Sequence, residues 1–235
     1  MRITLLTGKT FDFSKDFDFE IKVKKSSVAK KLVLRIDEKC HCPVLSIPKY
    51  CSKKQALNFL KSNEDWIVNM LAKLPKASDF IVGEKISVFG KEYTIAHDDK
   101  HKGTCFENDI LKVGGDKSFL HRRVKDFLKK EAVDKLAEIS LAKAQKIGVK
   151  VASVSVKDTK SRWGSCSTKG NINYNWRIVL APSEVIDYLV CHEVSHLKHP
   201  NHSTLFWKTV EELCPCYQES RKWLKVKGKD LYKYN

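Results

Sequence analysis

The sequence predicts an α+β protein in two parts. A β-rich N-terminal part with one helix is expected over residues 1–116, and a compact domain with a small sheet and several helices over residues 117–235. Three observations carry this expectation. Short alternating apolar runs separated by glycine turns dominate the first half. Apolar residues at helical spacing dominate the second. One of those helical segments carries His192-Glu193-Val194-Ser195-His196, with His202 six residues further on. A chain of 235 residues with 42% hydrophobic content is long enough for one or two cores.

Taken in order, Leu32, Leu34 and Ile36, then Val44, Leu45 and Ile47, mark two strands between Lys31 and Pro48. Ser52 with Gln55 is a capping-box signature. It opens one helix through Ala56, Leu60, Ile67, Met70 and Leu74, ended by Pro75. Phe80 to Val113 holds short strands with turns at Gly83, Gly90 and Gly103, and Gly114-Gly115 marks the expected domain boundary. A long amphipathic helix follows, with Val124, Phe127, Leu128, Leu136 and Ile139 inward and Gly148 at its C-terminal end. Val151–Val156 and Asn171–Leu180 are expected strands. Val185, Ile186, Leu189, Val190, Val194 and Leu197 form the apolar stripe of the motif helix, begun near Pro182-Ser183 and stopped at Pro200. Helices over 203–213 and 218–226 complete the chain.

Histidines at i and i+4 lie on one helical face, one turn apart. Both imidazoles can then reach one Zn²⁺ at ~2.0–2.1 Å. Glu193 sits beside the first ligand, where its carboxylate can act on water without binding the ion. In a continuing helix His192 and His199 would stand ~10 Å apart along the axis, too far to share an ion. The break at Pro200 lets the chain turn back, which makes His202 the preferred third ligand. His199, Glu211, Glu212 and Glu219 remain alternatives. Three neutral imidazoles leave one coordination position for water, whose pKa such an ion lowers from ~15.7 to ~7. An oxyanion donor is also expected, with Arg162, Tyr174 and Tyr217 as candidates.

Eight cysteines are present. Without a secretion signal, reduced thiols are expected. Cys40-His41-Cys42 and Cys214-Pro215-Cys216 lack the spacing of common structural zinc sites. Cys191 is expected to be a buried apolar residue, and Cys166 is a candidate inhibitory ligand. The formal charge of +16 invites a polyanion reading. Yet 37 of the 44 basic residues are lysines scattered along the chain. That is the pattern of a solvated surface and leaves only non-specific attraction to nucleic acid or nucleotide open. No run of eighteen apolar residues exists, so no membrane span is expected. The first residues are too weakly apolar for a signal peptide, and a cytoplasmic location is expected.

The run Lys160-Ser161-Arg162-Trp163-Gly164-Ser165-Cys166-Ser167, then Asn171-Ile172-Asn173-Tyr174-Asn175-Trp176-Arg177, the histidine motif, and Asn201-His202-Ser203 through Phe206-Trp207 resemble the YgjP-like, DUF45-type zinc metallopeptidase family. That family is similar to the SprT and WLM groups and to minimal gluzincins. The resemblance implies a zincin-like catalytic domain, His192, His196 and His202 as zinc ligands, Glu193 as general base or acid, and a peptide or protein substrate. This chain has Ser195 where the family usually has alanine. The His192–His202 spacing also matches the metzincin pattern, but His199 occupies its glycine position and no methionine lies downstream for its turn. Two other functions stay open from the residues: a metal-dependent hydrolase of nucleoside triphosphates, and a non-catalytic zinc-stabilised binding module. The intact Glu193 speaks against the latter.

Overall fold

A computed structural model describes residues 11–37, 42–72, 78–159 and 161–234. It divides into two compact units, Met1–Pro75 and Lys76–Asn235. The expected boundary at residue 116 therefore falls inside the second unit. The reason is packing: strand residues Ile86, Ile95, Leu111 and Val113 share one core with the long helix and the motif helix.

In the first unit, β1 (Lys22–Ser26), β2 (Val33–Asp37) and β3 (Cys42–Pro48) form a sheet in the order β1-β3-β2. β2 and β3 are the two expected strands. β1 was not expected, because Lys22-Val23-Lys24-Lys25-Ser26 has one apolar residue and so no alternation to detect. Central β3 supplies Leu45 and Ile47 to a core with Phe13, Phe17, Ala56, Leu60 and Ile67. The capping box forms, with Ser52 and Gln55 bonded reciprocally. The single helix it was expected to open is two, α1 (Lys53–Lys61) and α2 (Glu64–Ala72). At the join, Ser62 Oγ bonds to the carbonyls of Asn58 and Phe59, and Asn63 Nδ2 donates to Phe59 O. These side chains compete for main-chain groups that would otherwise continue the helix. Leu74 and Pro75 lie outside the described residues, as do Cys40 and His41.

The second unit begins with β4 (Lys85–Val88), β5 (Lys91–Asp98), β6 (Thr104–Glu107) and β7 (Ile110–Gly114), in the order β4-β5-β7-β6. Gly83, Gly90 and Gly103 turn with positive φ at the expected places. Helix α3 (Leu120–Lys146) follows and buries Val124, Leu128, Ala132 and Leu136. It ends in a Schellman motif: Val149 N–H bonds Ala144 O, Gly148 N–H bonds Gln145 O, and Gly148 takes φ 68°. A small sheet, β8 (Ser153–Lys157), β9 (Gly164–Cys166) and β10 (Asn171–Asn175), has the order β8-β10-β9. The strand expected to run on to Leu180 stops at Asn175. There the Asn175 carboxamide oxygen accepts from Arg177 N, and residues Trp176–Leu180 coil into a 3₁₀ helix.

Three helices close the unit: α4 (Ser183–Ser195), α5 (Thr204–Leu213) and α6 (Tyr217–Lys227). Lys143 on α3 bonds Asp187 of α4 at 2.7 Å and Leu213 O at the end of α5 at 3.1 Å. Ser220 on α6 donates to Glu184 O. These bonds tie α4 to α3 and α6, and α3 to the end of α5. Among the described residues no helix is long and apolar enough to cross a membrane. Six cysteines among the described residues are free thiols. Cys42 is disulfide-bonded, which the expectation of reduced thiols did not include.

Arg177 locks the C-terminal segment to this frame. It is 1% exposed. It donates to Asp158 at 2.7 Å and to Tyr234 O at 2.9 Å, and it stacks over Trp176 and Tyr232. The Asp158 side chain is 33% exposed, so the pair is partly buried, and hydrogen bonds to a charged group contribute ~1.5–3 kcal/mol. Arg177→Ala is therefore expected to lower unfolding stability by about that amount in urea titration. A loss under ~0.5 kcal/mol would show that these bonds do not hold in solution.

Candidate metal centre

His192 and Glu193 lie in the last turn of α4, and His196 is its C-cap. Just beyond, the helix tightens. Leu197 N bonds Val194 O, and Lys198 and His199 N–H groups both reach Ser195 O. Ser195 Oγ donates to Cys191 O at 2.6 Å, so the serine in place of alanine spends its hydroxyl inside the helix. The chain then reverses through Pro200 and returns at His202, with Ser203 capping α5 through a bond from Phe206 N. His202 Nε2 thereby comes within 3.2 Å of His192 Nε2.

His192, His196 and His202 each offer one ring nitrogen, and these nitrogens lie within 4.8 Å of one another. Ligands of a tetrahedral ion at ~2.0–2.1 Å stand ~3.3 Å apart, so the cluster has the dimensions to hold one metal ion. His199, Glu211, Glu212, Glu219 and Cys166 are outside it. His199 contributes its carbonyl instead, which lies 3.2 Å from His196 Nδ1. That bond fixes the ring so that Nε2 faces the cluster, the usual outer-shell support of a ligating histidine. His192 Nδ1 is buried with no partner among the described residues, so the ring's polar bonding is concentrated at Nε2.

Phe206 and Trp207 on α5 form the wall behind all three rings. Phe206 is fully buried, with its ring centroid 5.0 Å from His192, 4.5 Å from His196 and 4.8 Å from His202. Trp207 stacks on the exposed His202 at 5.8 Å. It is itself sandwiched by Tyr217 at 5.5 Å and the Arg221 guanidinium at 4.4 Å. Sequence reading placed Phe206 only on the apolar face of its helix. Contact with the histidines depends on the reversal at Pro200, which periodicity does not describe.

Glu193 is 4% exposed and lies under β9. A Cβ on Gly164 would come 2.7 Å from the Glu193 Cδ, so glycine is what lets the strand backbone pass over the carboxylate. Asn175 positions that strand's approach. Its backbone N–H donates to Trp163 O at 2.7 Å, and its Nδ2 donates to Thr159 O at 2.8 Å. The cleft formed there has a volume of about 420 Å³ and is lined by Gly164–Thr168, the three histidines, Glu193 and Pro200.

A model of the YgjP-like metallopeptidase domain matches residues 30–227. The chain belongs to the YgjP-like metallopeptidase family. The match runs through both units, and family membership implies hydrolase chemistry supported by a divalent metal. Among solved structures, the metallopeptidase zymogen of Pyrococcus abyssi abylysin is 24% identical over 39% of this chain and 95% of that one, with a TM-score of 0.36, a likeness too partial to carry an argument. No curated protein matches.

The electrostatics of this YgjP-like site suit a cation. Burial, then the neighbouring His196 and His202, push His192 down to about 3, and burial also lowers His196. Both rings are thus kept neutral, the form that ligates metal. Burial pushes the Glu193 carboxyl up to about 8, opposed by the Arg162 charge. Burial and Glu193 push the Cys166 thiol up to about 11, and its sulfur is not part of the histidine cluster. Of the three oxyanion candidates, Tyr174 is buried with its hydroxyl 2.9 Å from Ser140 Oγ in the core. Tyr217 packs between Trp207 and Tyr188. Only Arg162 is exposed, with its charge acting on Glu193.

The Glu193 shift has a consequence for the metal-free protein. The unfolded chain ionises this group near 4.5 and the folded chain only near 8. Its contribution to stability is complete below the lower value and is lost as pH rises through the upper one. Glu193→Gln removes that loss. The metal-free variant is expected to exceed the wild type by ~2–4 kcal/mol at pH 8.5 and to match it near pH 4.5. A stability difference independent of pH, measured by urea unfolding, would contradict the burial of an uncompensated carboxylate.

Proposed function

We propose that the protein is a zinc-dependent peptidase in which His192, His196 and His202 hold the ion and Glu193 is the general base. The observation that carries this reading is a buried, raised carboxyl beside three clustered imidazoles in one cleft, two of them kept neutral by burial. A divalent ion held there supplies Lewis acidity, polarising a carbonyl and acidifying water.

The substrate reading rests on β9. It is an edge strand, with β10 as its one sheet partner among the described residues, and it lines the cleft through Gly164, Ser165 and Cys166. An extended peptide can pair with such an edge by main-chain hydrogen bonds, which brings its carbonyls past the histidines. A nucleoside triphosphate has no main chain to pair in this way. Glu193 accepts a proton from the attacking water at its carboxylate and returns it to the leaving amine nitrogen, the two halves of general acid–base catalysis. Arg162 lowers the Glu193 pKa towards the working range and is the candidate donor to the carbonyl oxygen as charge develops. Cys166 stays protonated and shapes the cleft wall.

Glu193→Gln is expected to retain one zinc per chain while peptide cleavage falls ~10²–10⁴-fold. The measurement pairs elemental analysis with cleavage of a peptide library and turnover of a nucleotide panel. Triphosphate turnover without peptide cleavage in the wild type would overturn the substrate reading. Cleavage undiminished in the variant would overturn the role of Glu193.

A further inference from the structure

The cleft does not end at the metal centre. A second cavity of about 470 Å³ shares Ser167, Thr168, His196 and Pro200 with it and extends past the end of β9. Its distinguishing side chains are Lys150 and Lys169, and no aspartate or glutamate lines it. The two lysines sit on adjoining segments that are tied together. Ala152 N–H donates to Gly170 O at 2.9 Å, and the turn carrying Lys169 closes through Gly170 N–H to Ser167 O at 2.9 Å. Gly170 has φ 80°, and the Lys150 carbonyl would lie 3.4 Å from a Cβ placed there. The turn is thus held against the segment that follows α3. Both lysines are exposed, and neither has an acidic partner among the described residues. In most surface lysines an unpaired charge is simply solvated. Here two unpaired charges flank a groove continuous with the reaction centre, and Ser167 and Thr168 add hydroxyls between them and the histidines.

We propose that this arm of the cleft binds a carboxylate of the substrate, so that the enzyme prefers peptides with negative charge on one side of the scissile bond. This rests on the peptidase reading above and deepens it. The carboxylate has two sources: an aspartate or glutamate side chain, or the C-terminus of the peptide. A pair of weak, exposed ionic contacts gives a preference of ~2- to 30-fold. It is screened by salt, because both lysines are open to solvent.

The test uses the full-length, zinc-loaded protein. Peptides matched except for Glu against Gln at each position on either side of the cleaved bond, each as free acid and as C-terminal amide, are compared by kcat/KM. Binding of the same peptides to Glu193→Gln is followed by fluorescence anisotropy. The expected result is a preference for negative charge on one side only, weakened at high salt. In Lys150→Glu/Lys169→Glu it should invert relative to the matched neutral peptides, with thermal unfolding verifying that the variant is folded. Lys150→Gln/Lys169→Gln should abolish the preference without inverting it. A gain confined to internal Glu identifies the side chain as ligand, and a gain confined to the free acid identifies the C-terminus. Peptides cleaved with no charge preference, or a preference unchanged in the folded double variant, would overturn this inference and leave the peptidase reading standing. No binding or cleavage of any peptide by the zinc-loaded protein would overturn both.

Discussion

Three imidazoles held with their ring nitrogens within 4.8 Å of one another set the terms for the rest of the second unit. Such a cluster is stable only if the rings stay neutral or share a cation, because protonating two of them places like charges in contact. Burial keeps His192 and His196 neutral, while His202 is the exposed member of the cluster. Phe206 lies against all three rings, and Trp207 covers His202. The wall must come from a helix that runs back along α4, and that requires the reversal between His196 and Ser203. Pro200 and the tightened turn over Ser195 are thus part of the site, although neither offers a ligand.

The second constraint is the buried Glu193. An isolated carboxylate at this depth is costly, and burial alone holds it well above its ordinary range. The Arg162 charge offsets part of that cost. Catalytic carboxylates are commonly tuned in this way, with pKa values moved towards the working pH. β9 comes close enough to cover the carboxylate because Gly164 has no side chain to collide with it. The same short strand is left with a free edge in the cleft. One glycine therefore links the shielding of the Glu193 carboxyl to the strand that lines the cleft.

Much of this was legible in the sequence because it is written in local patterns. The i, i+4 histidines, the glutamate between them and the proline break describe α4 and its end. The capping box at Ser52 and Gln55 and the glycine after α3 formed as their chemistry requires. What escaped depends on contacts distant in sequence. β1 is built from lysines and gains its place by pairing with β3. The Asn171–Leu180 run alternates like a strand throughout, yet Asn175 turns it into a 3₁₀ helix by bonding to Arg177 N. The boundary expected at Gly114-Gly115 followed local turn chemistry. The actual division follows the core that β4–β7 share with α3 and α4. Tyr174 looked like a catalytic hydroxyl from its position in the motif run, but it is a core residue bonded to Ser140. Family membership, matched over residues 30–227, spans the local motif, while the arm bearing Lys150 and Lys169 emerges only from the folded geometry.

The central claim is that three histidines, and no thiol, hold the metal. X-ray absorption at the zinc edge of the purified, full-length protein tests it most directly. The account predicts a spectrum dominated by three imidazoles with first-shell nitrogens at ~2.0–2.1 Å and no sulfur scatterer. A sulfur neighbour at ~2.3 Å would place a cysteine such as Cys166 on the ion and contradict the account.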